Sequence, residues 1–307
     1  MKKTFYDKEK QRQVAFYYDY LSQHGVRNNG VFRGEHEFIL NGEDCLYNLF
    51  FEPICYRDGA VQYFDRYKIT WWGENKKEKK PTGHLVSSQI HCLNHLFFLR
   101  KDKDAVKAII AKATGLEIDR ILPSPLDADG YITFEFVYKN KSLLGEKNET
   151  RGAKCTSVDA LVYALLKTGK RVLIPIEWKY TETYPGTEAN ETSLCRYPTR
   201  ILPFSNLKGW NDLYKTDPYY ELMRQTILVE QIIANKEFVE IKADDYLHLV
   251  VVPKGHTELR DAITDNYVPT LKDPSKLKLI DPRDLLDPLK DEKQYGALFA
   301  YLSKRYW

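Results

Sequence analysis

Cysteine is scarce and badly spaced for cysteine chemistry: Cys45, Cys55, Cys92, Cys155 and Cys195 are the only five among 307 residues. An odd count, wide separations and no Cys-x-x-Cys pair exclude a disulfide framework and a thiolate zinc knuckle. That usage fits a reducing compartment, and a cytoplasmic protein is expected. No apolar run approaches the roughly 20 residues needed to span a bilayer, so no membrane role is expected. The N-terminus, MKKTFYDK, carries charge where a signal peptide carries an apolar core. A dominant charge sign is also missing, since 46 Lys+Arg against 43 Asp+Glu leave +3. A uniformly basic nucleic-acid-binding surface is thereby excluded, and any such face must come from local clustering. There is no Walker A loop, no Gly-x-Gly-x-x-Gly after a strand and no Ser-His-Asp signature, so no nucleotide cofactor is expected.

What is present is ordinary globular material with 43% hydrophobic residues, enough for one large or two modest cores, and an unusual 22 tyrosines. Residues 8–24, 87–99, 103–114 and 217–235 have helical patterning, and a final helix fits 292–305. Ser87 or Ser88 and Asp217-Pro218 serve as N-terminal signals, and Gly115 as a stop. Residues 131–138, 171–178 and 246–252 read as strands. The stretch 158–166 is ambiguous: Val158, Leu161, Val162, Leu165 and Leu166 fit a helix, yet the same run fits a strand buried on two faces. Residues 269–288 hold four prolines and read as extended or irregular.

Chemistry concentrates around residues 155–179. Glu177 and Lys179 close an apolar run and share one strand face, where burying charge needs a reason. If 155–178 is a hairpin centred on Thr168, Asp159 and Glu177 each lie nine residues from the centre and face each other. Opposed residues in such a pair have Cβ atoms about 5 Å apart. Two carboxylates that close repel unless a cation lies between them. A divalent ion such as Mg²⁺ accepts one or two carboxylates together with waters and phosphate oxygens. Lys179 beside it could orient a water and offset charge building on a phosphate. Pro175 within the strand cannot donate to the ladder and points to a bulge or an edge there.

The Asp…Glu-x-Lys arrangement resembles the PD-(D/E)XK nuclease superfamily. More closely, the chain resembles a family of bacterial proteins assigned as restriction endonucleases. The segments that carry this are GHLVSSQ (83–89), CLNHLF (92–97), GAKCTSVD (152–159), IEWKYTE (176–182), YELMRQ (220–225) and LHLVVVP (247–253). The resemblance implies an α/β fold with a restriction-endonuclease-like αβββαβ core, a central mixed sheet flanked by helices, and N- and C-terminal extensions. It makes 158–166 a strand. The implied division is an accessory region at 1–83, the nuclease core at 84–256 and a C-terminal extension at 257–307. It casts Asp159, Glu177 and the Trp178 carbonyl as metal ligands and Lys179 as the water-positioning base. Superfamily members often add an upstream acidic residue; here Glu135 and Glu146 both qualify, and Gln89 takes that place if 87–99 is the first core helix. The superfamily's motif proline is replaced by Val158.

Other candidates are weaker. Arg224 and Gln225 on the 217–235 helix could meet DNA phosphate or the site water, and Lys141, Lys147, Arg151 and Lys154 flank the Asp159 strand and could grip phosphates. His91 and His95, four apart, have metal-ligand spacing but lack the Glu of a zinc protease. The expectation is therefore a Mg²⁺-dependent deoxyribonuclease with Mn²⁺ able to substitute, acting on DNA in host defence. Double-strand cuts call for two sites, which a homodimer would supply. The alternative is a catalytically silent nucleic-acid- or protein-binding module on the same fold.

Overall fold

The computed structural model describes residues 3–73, 79–127, 129–138, 143–146, 155–184 and 194–307. Contacts sort the chain into two units: Met1–Leu99 with Lys179–Glu182 and Leu286–Trp307, and Arg100–Trp178 with Thr183–Leu285. In this grouping a four-residue segment, Lys179–Glu182, and the C-terminal residues Leu286–Trp307 both join the N-terminal unit.

That first unit is helical. Helix α1 (Phe5–Asp19) opens on a capping box, in which Thr4 Oγ1 accepts from the Asp7 amide and the Asp7 carboxylate accepts from the Thr4 amide. It buries Gln13, Phe16 and Tyr17. Helix α2 (Ile54–Tyr67), which the sequence reading did not name, buries Ala60, Tyr63 and Phe64 at helical spacing. Helix α3 (Ser88–Leu96) starts at the expected cap, with the Ser87 side chain accepting from the Ile90 amide, and buries every residue from Ile90 to Leu96. The apolar runs at 38–40, 46–51 and 67–72 build no strand. Residues Gly42–Asn48 form a 3-10 helix, and Ile39 makes a single isolated bridge with His84.

The second unit is built on a mixed sheet flanked by helices. Helix α4 (Lys103–Thr114) is capped by Asp102, which accepts from the Asp104 and Ala105 amides, and stops at Gly115 with φ 72°. Four strands follow: β1 (Ile118–Leu122), β2 (Ile132–Phe136), β3 (Val158–Leu166) and β4 (Arg171–Trp178). Residues 158–166 are thus a strand; their helix-like spacing reflects burial on both faces, which puts apolar residues at nearly every position. The β3–β4 hairpin closes through Lys167-Thr168-Gly169, where Gly169 takes φ 84°, a left-handed conformation that a side chain would strain.

Helix α5 (Tyr219–Ala234) begins two residues after Asp217, with Pro218 rather than Asp217 at the cap position. Strands β5 (Asp245–Tyr246) and β6 (His248–Val251) then pair in parallel with β4. After helix α6 (Thr257–Ala262) comes β7 (Leu277–Ile280), parallel to β6. The strand order is β1-β3-β4-β6-β7, with β2 sharing the β1 edge of β3. The proline-rich stretch is therefore not irregular throughout: β7 fits between prolines, and Pro282 begins helix α7 (Pro282–Leu286), where its missing N–H costs nothing. Helix α8 (Gly296–Arg305) ends the chain and packs on α1 and α3 within the first unit.

Pro175 makes neither a bulge nor an edge. The β3–β4 register runs without a shift through Leu161↔Pro175. Leu166 donates to Lys170, so hydrogen-bonded pairs alternate from there and Pro175 falls in a non-bonded pair, its nitrogen turned to the opposite edge. That edge is where the parallel ladder breaks, between Leu173↔Tyr246 and Ile176↔Leu249. The lost donor is absorbed as the gap between β5 and β6.

One sheet face packs against α5, burying Leu161, Tyr163, Leu173 and Val250 with Leu222, Ile227 and Val229. Each such side chain, fully buried, stabilises by about 1.5–3 kcal/mol. Helix α4 touches both β1 and β7, so it lies across the sheet. Among the described residues no helix is long and apolar enough to cross a membrane, and none of the five cysteines is in a disulfide.

Candidate active site

The strand registers align three carboxylates. On β3–β4, Ala160 pairs with Ile176, so the next pair outward is Asp159 with Glu177. This is the opposition expected from the hairpin centre at Thr168, and it falls in a non-hydrogen-bonded pair, where side chains stand closer. On the other edge of β3, Phe134 pairs with Ala160 and Phe136 with Val158, which puts Glu135 opposite Asp159. Glu135, Asp159 and Glu177 thus occupy one row across β2, β3 and β4. Glu177 continues to Val250 on β6, so the row turns apolar at its far end.

The row is enclosed. Glu177 is 2% exposed and Glu135 8%, whereas Asp159 is half-buried. Glu135 has φ 49°, a conformation that non-glycine residues rarely adopt and that costs on the order of 1–3 kcal/mol. The regular ladder skips that one pair. Asp159 also caps the end of β4, its Oδ2 accepting from the Trp178 amide at 2.6 Å.

Helix α5 fixes the two strands that carry the acids. The Gln225 amide nitrogen donates to the Ser157 carbonyl at 2.9 Å, two residues before Asp159, and to Glu177 Oε2. The preceding residue, Arg224, donates from Nε to Thr156 Oγ1 at 2.9 Å and from Nη2 to Glu146 Oε1 at 3.1 Å. Thr156 donates to the same carboxylate from both its amide and its hydroxyl, and Tyr197 donates at 3.0 Å. Burial pushes the Tyr197 hydroxyl well above its usual range, so it remains a donor. The Arg224 guanidinium lies 4.9 Å above the Tyr220 ring.

This arrangement separates the two upstream acids that the sequence left open. Glu146 is committed to Thr156, Arg224 and Tyr197, and its work is to hold the start of β3. Glu135 is the one in the row with Asp159. Arg224 is not a solvent-facing phosphate contact, since its side chain is 18% exposed and its hydrogen bonds run to Glu146 and Thr156. Gln225 is 1% exposed and meets Glu177 rather than solvent. Gln89 sits on α3, its Oε1 accepting from the Trp72 amide at 2.9 Å and its Nε2 directed at the Thr70 carbonyl. The first helix of the sheet-bearing unit is α4, not α3. Lys179 is 6% exposed and follows Trp178 by one peptide bond, though its contacts place it in the helical unit. Arg151 and Lys154, with Lys141 and Lys147, lie outside the described residues. The Thr156 and Ser157 contacts were missed by the sequence reading; the GAKCTSVD segment contained them, but nothing in it said that α5 would reach them.

Hard oxygen donors at about 5 Å Cβ spacing suit a divalent cation such as Mg²⁺. Among the described residues no group of three His, Cys, Asp or Glu forms an all-protein metal cage. Mg²⁺ does not require one: it keeps waters and is held by one or two carboxylates with substrate phosphate. Asp159, Glu177 and the Trp178 carbonyl fit that role. His91 and His95 do not form a metal pair: burial depresses both, and the His91 ring stacks on Tyr180 at 4.0 Å in the helical unit.

The model of a family described as Restriction Endonuclease associating with ARP matches residues 17–307. No curated protein and no solved structure matches the chain.

Proposed function

The chain belongs to that restriction-endonuclease family, and from this premise we propose that it is a Mg²⁺-dependent endonuclease of the PD-(D/E)XK kind that hydrolyses DNA phosphodiester bonds. The observation that carries the reading is the row Glu135–Asp159–Glu177 on three adjacent strands. Three acids in register, enclosed and braced by a helix, are poorly explained as scaffold, because like charges side by side cost stability.

Asp159, Glu177 and the Trp178 carbonyl would hold the metal. Bound there, Mg²⁺ would polarise the scissile phosphate and acidify a water. Lys179, two residues beyond Glu177, donates a hydrogen bond that orients the attacking water in line with phosphorus and offsets charge on the phosphate oxygens. Glu135 stands on the far side of Asp159 and steadies the water network or a second cation. As the water oxygen bonds to phosphorus its proton passes to solvent, and as the P–O bond to the leaving 3′ oxygen breaks that oxygen takes a proton from solvent. The family description names an association with ARP, and the same association is proposed for this chain. Action in host defence, a cytoplasmic setting and a homodimer with two sites complete the reading.

The test is cleavage of plasmid and single-stranded DNA with Mg²⁺ or Mn²⁺. Wild type should cut, EDTA should stop it, and Asp159→Ala and Lys179→Ala should be folded and inactive. If wild type binds DNA but never cuts, alone or with its protein partner, the silent-module alternative replaces this one.

A further inference from the structure

Gln225 is the side chain whose hydrogen bonding is left incomplete beside the row. Both groups facing its amide nitrogen, the Ser157 carbonyl and Glu177 Oε2, can only accept. That fixes the orientation of the amide, since the flipped form would set oxygen against oxygen twice. Both N–H groups are consumed, one on the strand carrying Asp159 and one on Glu177 itself. The amide oxygen, Oε1, is buried and has no hydrogen-bond partner among the described residues. A buried acceptor without a donor costs about 1–3 kcal/mol. An apolar residue would avoid that cost at a position 1% exposed, at helical spacing from the buried Leu222, Leu228 and Val229.

We infer that Gln225 is a positioning residue for the metal-binding carboxylates, and that its Oε1 receives a hydrogen from a water in the site. The inference rests on the nuclease reading above and deepens it. One N–H holds the Glu177 carboxylate in a single rotamer. The other ties β3 at Ser157, two residues from Asp159. The same amide thereby sets the separation of the two carboxylates from the α5 side. The acceptor that remains is suited to a water's hydrogen and unsuited to a phosphate oxygen, which has no hydrogen to give. Of the two roles the sequence left open for Gln225, DNA phosphate or the site water, this assignment takes the water.

The test is Mn²⁺ binding to the full chain, followed by loss of the free-ion EPR signal without DNA present, for wild type, Gln225→Met and Gln225→Asn. The Met side chain keeps the length and loses both donors and the acceptor; Asn keeps the chemistry and cannot reach both strands. Loss of an outer partner to a metal ligand typically weakens metal binding about 10–100-fold. That loss is expected in both variants, with melting temperatures close to wild type and a matching rise in the Mg²⁺ concentration needed for half-maximal cleavage. A purely structural role would instead lower the melting temperature and leave Mn²⁺ affinity in the folded protein unchanged, which overturns the inference. Should Met prevent folding, the Asn variant alone decides. If wild type binds Mn²⁺ and both variants bind it equally, this inference falls and the nuclease reading stands; if wild type binds none, both fall.

Discussion

Each unit buries charge, and the two do so in opposite ways. In the helical unit Arg305 is 0% exposed, yet every donor is used. Nε meets Gln13 Oε1, Nη1 meets the Asn48 carbonyl and the Tyr301 hydroxyl, and Nη2 meets Asn48 Oδ1 and the Leu85 carbonyl. Gln13 passes the network to Tyr180, whose hydroxyl donates to Glu9 at 2.8 Å. Burial raises the Glu9 carboxyl above its usual range. The guanidinium charge is thus spread over neutral acceptors, and the network ends on the Glu9 carboxyl, which Arg12 pairs at 3.3 Å. In the sheet-bearing unit three acids of one sign share a row, one of them on strained backbone, with an amide beside them whose oxygen has no partner. A polar network that completes itself secures a fold; like charges collected at one place carry a cost in stability. The difference supports the proposal that the second is the site.

The comparison yields its largest effect at the row. Glu177→Gln should lower DNA cleavage about a thousandfold or more, since a metal's contribution is worth several kcal/mol and each 1.36 kcal/mol is tenfold. The same variant should unfold in urea at or above the wild-type midpoint, because a buried like charge has been removed. A variant that loses stability and activity together would place Glu177 with the scaffold instead.

Arg305→Met should do the reverse. It strands the Asn48, Leu85 and Gln13 acceptors and should cost about 3–5 kcal/mol by urea titration. Any protein that stays folded should cleave at a normal rate per folded molecule. Loss below 1 kcal/mol would show that solvent replaces the guanidinium and that the network is not the one described.

How far these two regions could be read from sequence differs for physical reasons. Asp159, Glu177 and the strand character of 171–178 were legible because a hairpin has a simple symmetry and an apolar run ending in charge is unusual. Residues 158–166 were not, since full burial erases the period that separates strand from helix. Glu135 could not be chosen over Glu146 without the β2 register and the Thr156 contacts. Helix α2 went unnamed because its aromatic-rich stripe carries no N-terminal cap signal; Pro53 precedes it and makes no side-chain cap. The Arg305 network was invisible, as it joins residues up to 292 apart in sequence.

The smallest expected effect concerns histidine. His248 on β6 is 1% exposed, and neither ring nitrogen has a hydrogen-bond partner. Burial pulls its pKa from 6.5 to about 3. The unfolded chain takes up this proton below pH 6.5 while the fold refuses it until about 3. Its contribution is therefore constant above pH 6.5 and is lost as pH falls through that window, by about 1.4 kcal/mol per unit. Replacing it, as His248→Leu, should flatten the fall in unfolding free energy between pH 6 and 4 by that slope. An unchanged slope would mean that His248 reaches solvent when charged.

The most direct single measurement is nicking and linearisation of supercoiled plasmid in Mg²⁺ by wild type and Asp159→Asn, each also scanned for its melting temperature. A metal-dependent site at the acidic row requires that wild type cut, that the Asn variant be silent, and that the variant melt no lower than wild type. Equal cleavage by both proteins would contradict it.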